Sequence, residues 1–90
     1  MIARKFIFFG RVQGVGFRYF AQRSAARHQV IGYVKNLPDG SVEAFVQGPE
    51  KDVEAFKQDL SAGPRSAAVD NIEETVLEPT TVYSAFMIEK

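Results

Sequence analysis

The sequence predicts an α+β fold, a ferredoxin-like sandwich of the split βαβ type, in which an antiparallel sheet of four to five strands carries two helices packed on one face. Three observations predict it. The hydrophobic period changes from strand-like runs to helical spacing and back on two occasions, giving the order strand, helix, strand, strand, helix, strand, with a short extra strand at the end. A turn signal, Leu37-Pro38-Asp39-Gly40, sits between the two middle strand-like runs. Finally, an apolar fraction of 46% with eight Phe fills one core, and ninety residues leave no room for a second, so residues 1–90 are expected to form a single domain.

Each element has its own warrant. Ile2 to Val12 is apolar at both parities, with Phe6 and Phe8 on one side and Ile7 and Phe9 on the other, so it reads as a central strand covered on both faces in its middle. Phe17, Phe20, Ala21, Ser24, Ala25 and His28 then share one helix face, with Arg18, Gln22, Arg23 and Arg27 off it; this helix runs from about Phe17 to about Gln29. Val30 to Asn36 and Ser41 to Gln47 are strands of a hairpin, because Pro38 presets φ at the first central turn position, Asp39 suits the second and Gly40 accepts positive φ. Phe45 breaks the alternation of the second of these strands and is expected to be partly covered on the open face of the sheet or beside the site. Gly48-Pro49-Glu50 starts a second helix, with Pro49 at its first position and Glu50 and Asp52 near its positive end. Val53, Phe56 and Leu60 mark its buried face, and Gly63-Pro64 stops it. Val69 to Glu78 is extended, Glu78 to Ser84 is an exposed loop, and Ala85 to Glu89 is a short final strand.

Composition excludes several kinds of function. With no cysteine there is no thiolate nucleophile, zinc-thiolate site or disulfide framework, and the chain fits a reducing compartment. A net charge of zero argues against a general binder of nucleic acid or acidic membranes. The apolar run Phe6 to Phe9 is too short for a signal peptide, and no run approaches membrane-spanning length. A cytoplasmic monomer is the expectation.

The chemistry concentrates in Gly10-Arg11-Val12-Gln13-Gly14-Val15-Gly16-Phe17-Arg18, where three glycines and an arginine separate an apolar strand from a helix. Glycines let successive N–H groups converge, the helix start adds its own unpaired donors, and Arg18 supplies a charged planar fork, so the stretch reads as an anion cradle. It is neither a dinucleotide fingerprint, since Tyr19 stands where a third glycine is needed, nor a Walker loop, since no Gly-Lys-Ser/Thr follows. Val12 stands where a cysteine phosphatase carries its thiol. Without a nucleophile, paired acids or metal-ligand spacing, the residues suit a phosphoanhydride of a carboxylic acid, whose carboxylate leaves without protonation. Asn36, ending its strand before Pro38, both donates and accepts, and is the candidate for holding a water.

These features also have plainer readings. The loop could be a tight strand-to-helix turn, Arg18 a solvated charge, and Asn36 a turn starter before Pro38. His28 lies at the far end of its helix from the loop, which suits capping or half-burial rather than general-base catalysis. Phe6, Phe8, Phe9, Phe17, Phe20, Phe56 and Phe86 are expected in the core, and Asp39, Glu43 and Glu50 in solvent. A small-anion binding module without turnover stays open, as does RNA binding through the sheet, which the neutral charge disfavours.

Two segments, GRVQGVGFR and GYVKNLPDGSVEAFVQGP, resemble the signature segments of the acylphosphatases, and the closing FMIEK is similar to that family's final strand. The resemblance runs through nearly the whole chain in order and spacing. It implies hydrolysis of acyl phosphates to a carboxylate and inorganic phosphate without a cofactor, with Arg18 and Asn36 as the catalytic pair. Gly10, Arg11, Val12, Gln13, Gly14, Val15, Gly16 and Phe17 would wrap the phosphate, Arg18 would clamp its oxygens, and Asn36 would orient the water. Tyr33 stands where the family often has tryptophan, Leu37 where some members have threonine, and residues 67 to 84 match only loosely. A related domain of hydrogenase-maturation carbamoyltransferases has similar motifs followed by much more chain; the short form is expected here.

Overall fold

A computed structural model describes all residues from Met1 to Lys90. The chain forms β1 (Ile2–Arg11), α1 (Phe17–His28), β2 (Ile31–Asn36), β3 (Val42–Gly48), α2 (Glu50–Ala62), β4 (Ala68–Leu77) and β5 (Phe86–Glu89), within a residue or two of the boundaries that periodicity predicts. The sheet order is β4-β1-β3-β2-β5. Its first four strands pair antiparallel, as expected, while β5 joins the β2 edge in parallel. Both helices lie on one face, α1 over β2 and β5 and α2 over β1, β3 and β4.

Parity along the strands decides what that face buries. Phe6 and Phe8 of β1, Val42, Ala44 and Val46 of β3 and Val34 of β2 meet Phe17, Ala21 and Ala25 of α1 and Val53, Phe56 and Leu60 of α2 in one continuous core. Phe8 packs on Phe17 with ring centroids 5.4 Å apart. The expectation that β1 is covered on both faces is corrected here: Ile7 and Phe9 are only half-buried, and Phe9 lies outside the core, because a two-residue period turns it away from the helices. Phe20 and Phe86 pack at the core's margin.

The other face is partly roofed by the connection from β4 to β5, which must cross the sheet because its strands occupy opposite edges. Gln47 fastens it, donating from Nε2 to the Thr80 carbonyl at 2.7 Å and accepting the Thr80 N–H at 2.9 Å. Tyr83 then lies against Phe45 and Tyr33, with centroids 5.5 and 5.7 Å away. This roof explains why Phe45, on the open face, is only 6% exposed. Glu43 is not the solvated residue expected: it accepts the Tyr33 hydroxyl and lies 3.8 Å from Lys35 Nζ. Burial first, and then the bond to Glu43, push the Tyr33 phenol well above its ordinary pKa.

The helices are joined directly. Asp59 Oδ2 of α2 accepts from Ser24 Oγ at 2.7 Å and from Arg27 Nη2 and His28 Nε2 at 2.9 Å, all three on α1. His28 is thus half-buried in a structural clamp, in keeping with its position far from the glycine loop. Pro49 caps α2 instead of occupying its first position; its carbonyl accepts the Asp52 and Val53 N–H groups at 3.0 Å.

Candidate active site

Strand register brings the two motifs together. Phe8 of β1 pairs with Val42 of β3, and Val42 pairs with Asn36 of β2, so Asn36 is in the row of residues beside which β1 runs out into the glycine loop. The β2–β3 turn that follows Asn36 closes through a Gly40 N–H to Leu37 carbonyl bond of 3.1 Å and is tightened by Asp39, whose Oδ1 accepts both the N–H and the hydroxyl of Ser41. Gln13 links loop and hairpin: its Nε2 donates to the carbonyls of Leu37 and Ser41, each at 2.8 Å. Both amide hydrogens are consumed there, so the Gln13 side chain positions the loop against the strand that carries Asn36.

The loop's glycines divide by physical cause. Gly10 lies at a register shift between β1 and β4, with φ at +124°, where a Cβ would stand 2.2 Å from the Ala68 carbonyl oxygen. Strand packing requires that glycine. Gly14 and Gly16 have φ of +74° and +76° with nothing within 4 Å of a would-be Cβ, so backbone conformation alone requires them, and the space above them is open. Gly16 caps α1 without any side-chain cap, and the first turn of α1 holds no acid. The backbone N–H groups from Gln13 to Tyr19 donate to no acceptor within the protein. Such a run of free donors at the positive end of a helix is an anion site in waiting.

A cavity of about 240 Å³ opens over this run, lined by Val12, Gly14, Gly16, Phe17, Arg18, Tyr19, Asn36 and Ile88. Its size, below the roughly 300–1,000 Å³ of sites for drug-sized ligands, suits a small group. Arg18 is half-buried and held from one side, donating from Nη1 to the Glu89 carbonyl of β5 at 2.8 Å, which leaves the rest of its fork for a ligand. Asn36 Oδ1 is buried and accepts no hydrogen bond from the protein. An unpaired buried acceptor costs about 1–3 kcal/mol, a strain that concentrates at sites built for a ligand. A second cavity, about 490 Å³ beside Gln22, Ala25, Gln29, Val30 and Phe86, is larger but holds no charged group.

Of the residues that the sequence singles out, the structure brings Val12, Gly14, Gly16, Phe17, Arg18 and Asn36 to one cavity. Gly10 and Arg11 stay outside it, paired with β4, and Val15 turns toward the core. Two lining residues escaped the sequence reading. Tyr19 gave a local signal, a large aromatic off the buried face of α1 and next to Arg18; Ile88 gave none, because only the parallel pairing of β5 brings it there.

Residues 4–88 match the family model for acylphosphatase. The chain is 44% identical to an acylphosphatase of Actinobacillus succinogenes over the full length of both chains, and 40% identical to one of Mannheimia succiniciproducens over 99% of each. It is also similar to the crystal structure of acylphosphatase from Bacillus subtilis, with a TM-score of 0.95, 37% identity and full coverage of both chains. The HypF structure of T. kodakarensis contains a like unit, with 41% identity and a TM-score of 0.87 over all of this chain and 12% of that one. The chain belongs to the acylphosphatase family, and it hydrolyses the carboxyl-phosphate bond of acyl phosphates to a carboxylate and inorganic phosphate.

Proposed function

We propose that hydrolysis is carried out by Arg18, Asn36 and the free N–H groups between Gln13 and Tyr19, acting on small acyl phosphates by water attack at phosphorus. The observation that carries this reading is the convergence on one small cavity of a guanidinium, a buried unpartnered amide oxygen and a run of unpaired backbone donors. The phosphoryl oxygens lie in the N–H cradle with Arg18 across them. Asn36 holds the water in line with the bond to be broken. A bond forms between the water oxygen and phosphorus, the bond from phosphorus to the acyl oxygen breaks, and its electron pair departs with the carboxylate. The protons of the water pass to phosphate oxygens and solvent, since neither a carboxylate nor an imidazole lines the cavity. Positioning and charge stabilisation therefore supply the rate enhancement, which suits a leaving group that needs no acid.

In this reading residues 1–90 act as one domain, a cytoplasmic monomer whose cavity draws its lining from both ends of the chain, from Val12 to Ile88. Phosphate release from acetyl phosphate tests the assignment. Arg18→Ala is expected to lower kcat/KM by about 10³-fold and to abolish inhibition by inorganic phosphate, while Asn36→Ala lowers kcat by on the order of 10²-fold with phosphate inhibition retained. Turnover near that of the unsubstituted protein in either variant removes that residue from the mechanism.

A further inference from the structure

The eight residues of the cavity divide into a half that meets phosphate and a half that meets nothing the phosphate needs. Arg18, Asn36 and the backbone at Gly14 and Gly16 supply the charge and the donors. Val12 and Phe17 are each 1% exposed and present little side-chain surface. What remains is Tyr19, 61% exposed on α1, and Ile88, 36% exposed on β5. Two large apolar side chains from separate elements thus stand exposed together at the opening of the one cavity that also holds Arg18 and Asn36. With the phosphoryl group held by the cradle, a cavity of about 240 Å³ has no room to enclose a sizeable acyl group as well, so that group leaves through the opening. Arg23 lies over the Tyr19 ring, 5.8 Å from its centroid, a contact that steadies the ring.

We propose that Tyr19 and Ile88 are the specificity-determining wall for the acyl group, and that the enzyme favours acyl phosphates with aromatic or other apolar acyl groups over acetyl-sized ones. The inference rests on the cavity being the phosphate site described above. Tyr19 contributes through its ring, against which a planar acyl group stacks, rather than through its hydroxyl. Ile88 closes the other side. Neither residue touches the reacting bond, so each acts on the choice of substrate.

Measuring kcat/KM for benzoyl phosphate and acetyl phosphate tests this, since their carboxylates are leaving groups of similar basicity. The benzoyl-to-acetyl ratio is expected to favour benzoyl in the unsubstituted protein. It should fall by about 3- to 10-fold in Tyr19→Ala and stay within about twofold in Tyr19→Phe, on the usual worth of an aromatic contact. A ratio unchanged in Tyr19→Ala, or lost equally in Tyr19→Phe, overturns the proposal. Arg18→Ala, assayed with both substrates, separates the two levels. If it loses both activities while the Tyr19 ratio stays flat, only the acyl wall fails; if it retains them, the phosphate site itself is misplaced and the wall falls with it.

Discussion

The two helices begin with the same unpaired backbone donors and answer them in opposite ways. At the start of α2 the Pro49 carbonyl accepts the Asp52 and Val53 N–H groups, and two carboxylates, Glu50 and Asp52, sit in the first turn beside the positive end of the dipole. At the start of α1 there is no acid and no side-chain cap, the N–H donors from Gln13 to Tyr19 are free, and Arg18 adds a full positive charge. A helix that neutralises its own positive end is a structural element. One that leaves that end bare, and strengthens it with a cation, presents an unneutralised positive end that favours an anion. The same contrast runs along α1 itself: its beginning is unsatisfied, while near its end Ser24, Arg27 and His28 all converge on Asp59.

The largest effect is expected from giving the start of α1 an acid of the kind α2 carries. Tyr19→Glu places a carboxylate in the first turn at the cavity's edge. The substitution should weaken competitive inhibition by inorganic phosphate by about tenfold, as expected for a like charge worth about 1 kcal/mol or more near the anion, and should leave the thermal midpoint level or raised. Unchanged phosphate affinity would mean that the bare helix start is not the anion site.

A smaller effect, on stability alone, is expected at the satisfied end. Asp59→Asn should cost about 1–2 kcal/mol, measured by urea unfolding, with kcat unaltered per folded molecule. The pH dependence has a definite sign. Burial pulls the Asp59 carboxyl upward, but the bonds from Ser24, His28 and Arg27, with the charge of Arg27, outweigh it and leave its pKa below the ordinary value. A depressed carboxyl stabilises the fold fully above its unfolded pKa of about 3.9, and that contribution is lost as pH falls through the lower folded value. The stability gap between Asp59→Asn and the unsubstituted protein should therefore be widest near neutrality and shrink below about pH 4. A gap that stays constant into strong acid would assign the cost to packing.

The smallest effect belongs to the start of α2. Glu50→Gln with Asp52→Asn should lower stability by about 0.3–1 kcal/mol for each charge, in a salt-dependent manner, and leave turnover within twofold. A loss of activity there would show that the two helix starts are not functionally distinct.

Local chemistry made much of the molecule legible in advance. Apolar runs, alternation and helical spacing placed all seven elements, and the Pro38-Asp39-Gly40 turn appears as its residues dictate, because those signals act over a few residues. Arg18 and the glycines at 14 and 16 were readable for the same reason. Long-range pairings were not. Nothing near Ile88 says that β5 will lie parallel to β2 and place it at the cavity. Gln13 reads as one more loop residue until the hairpin carbonyls it bridges are seen, and Phe9 reads as core until the choice of sheet face is known. Asn36 occupies a middle position: its strand end was legible, but the burial of its Oδ1 without a partner is a property of the folded packing that no neighbouring residue signals.

In the proposed reaction the cradle holds the phosphoryl group while water attacks phosphorus, and the acyl group leaves as an intact carboxylate. Hydrolysis of acetyl phosphate in water enriched in heavy oxygen, with both products analysed by mass spectrometry, tests this most directly. The label is expected in inorganic phosphate, with the acetate unlabelled. Label in the acetate instead would mean attack at the acyl carbon, and would contradict the placement of the phosphorus between Arg18, the free N–H groups and the water held by Asn36.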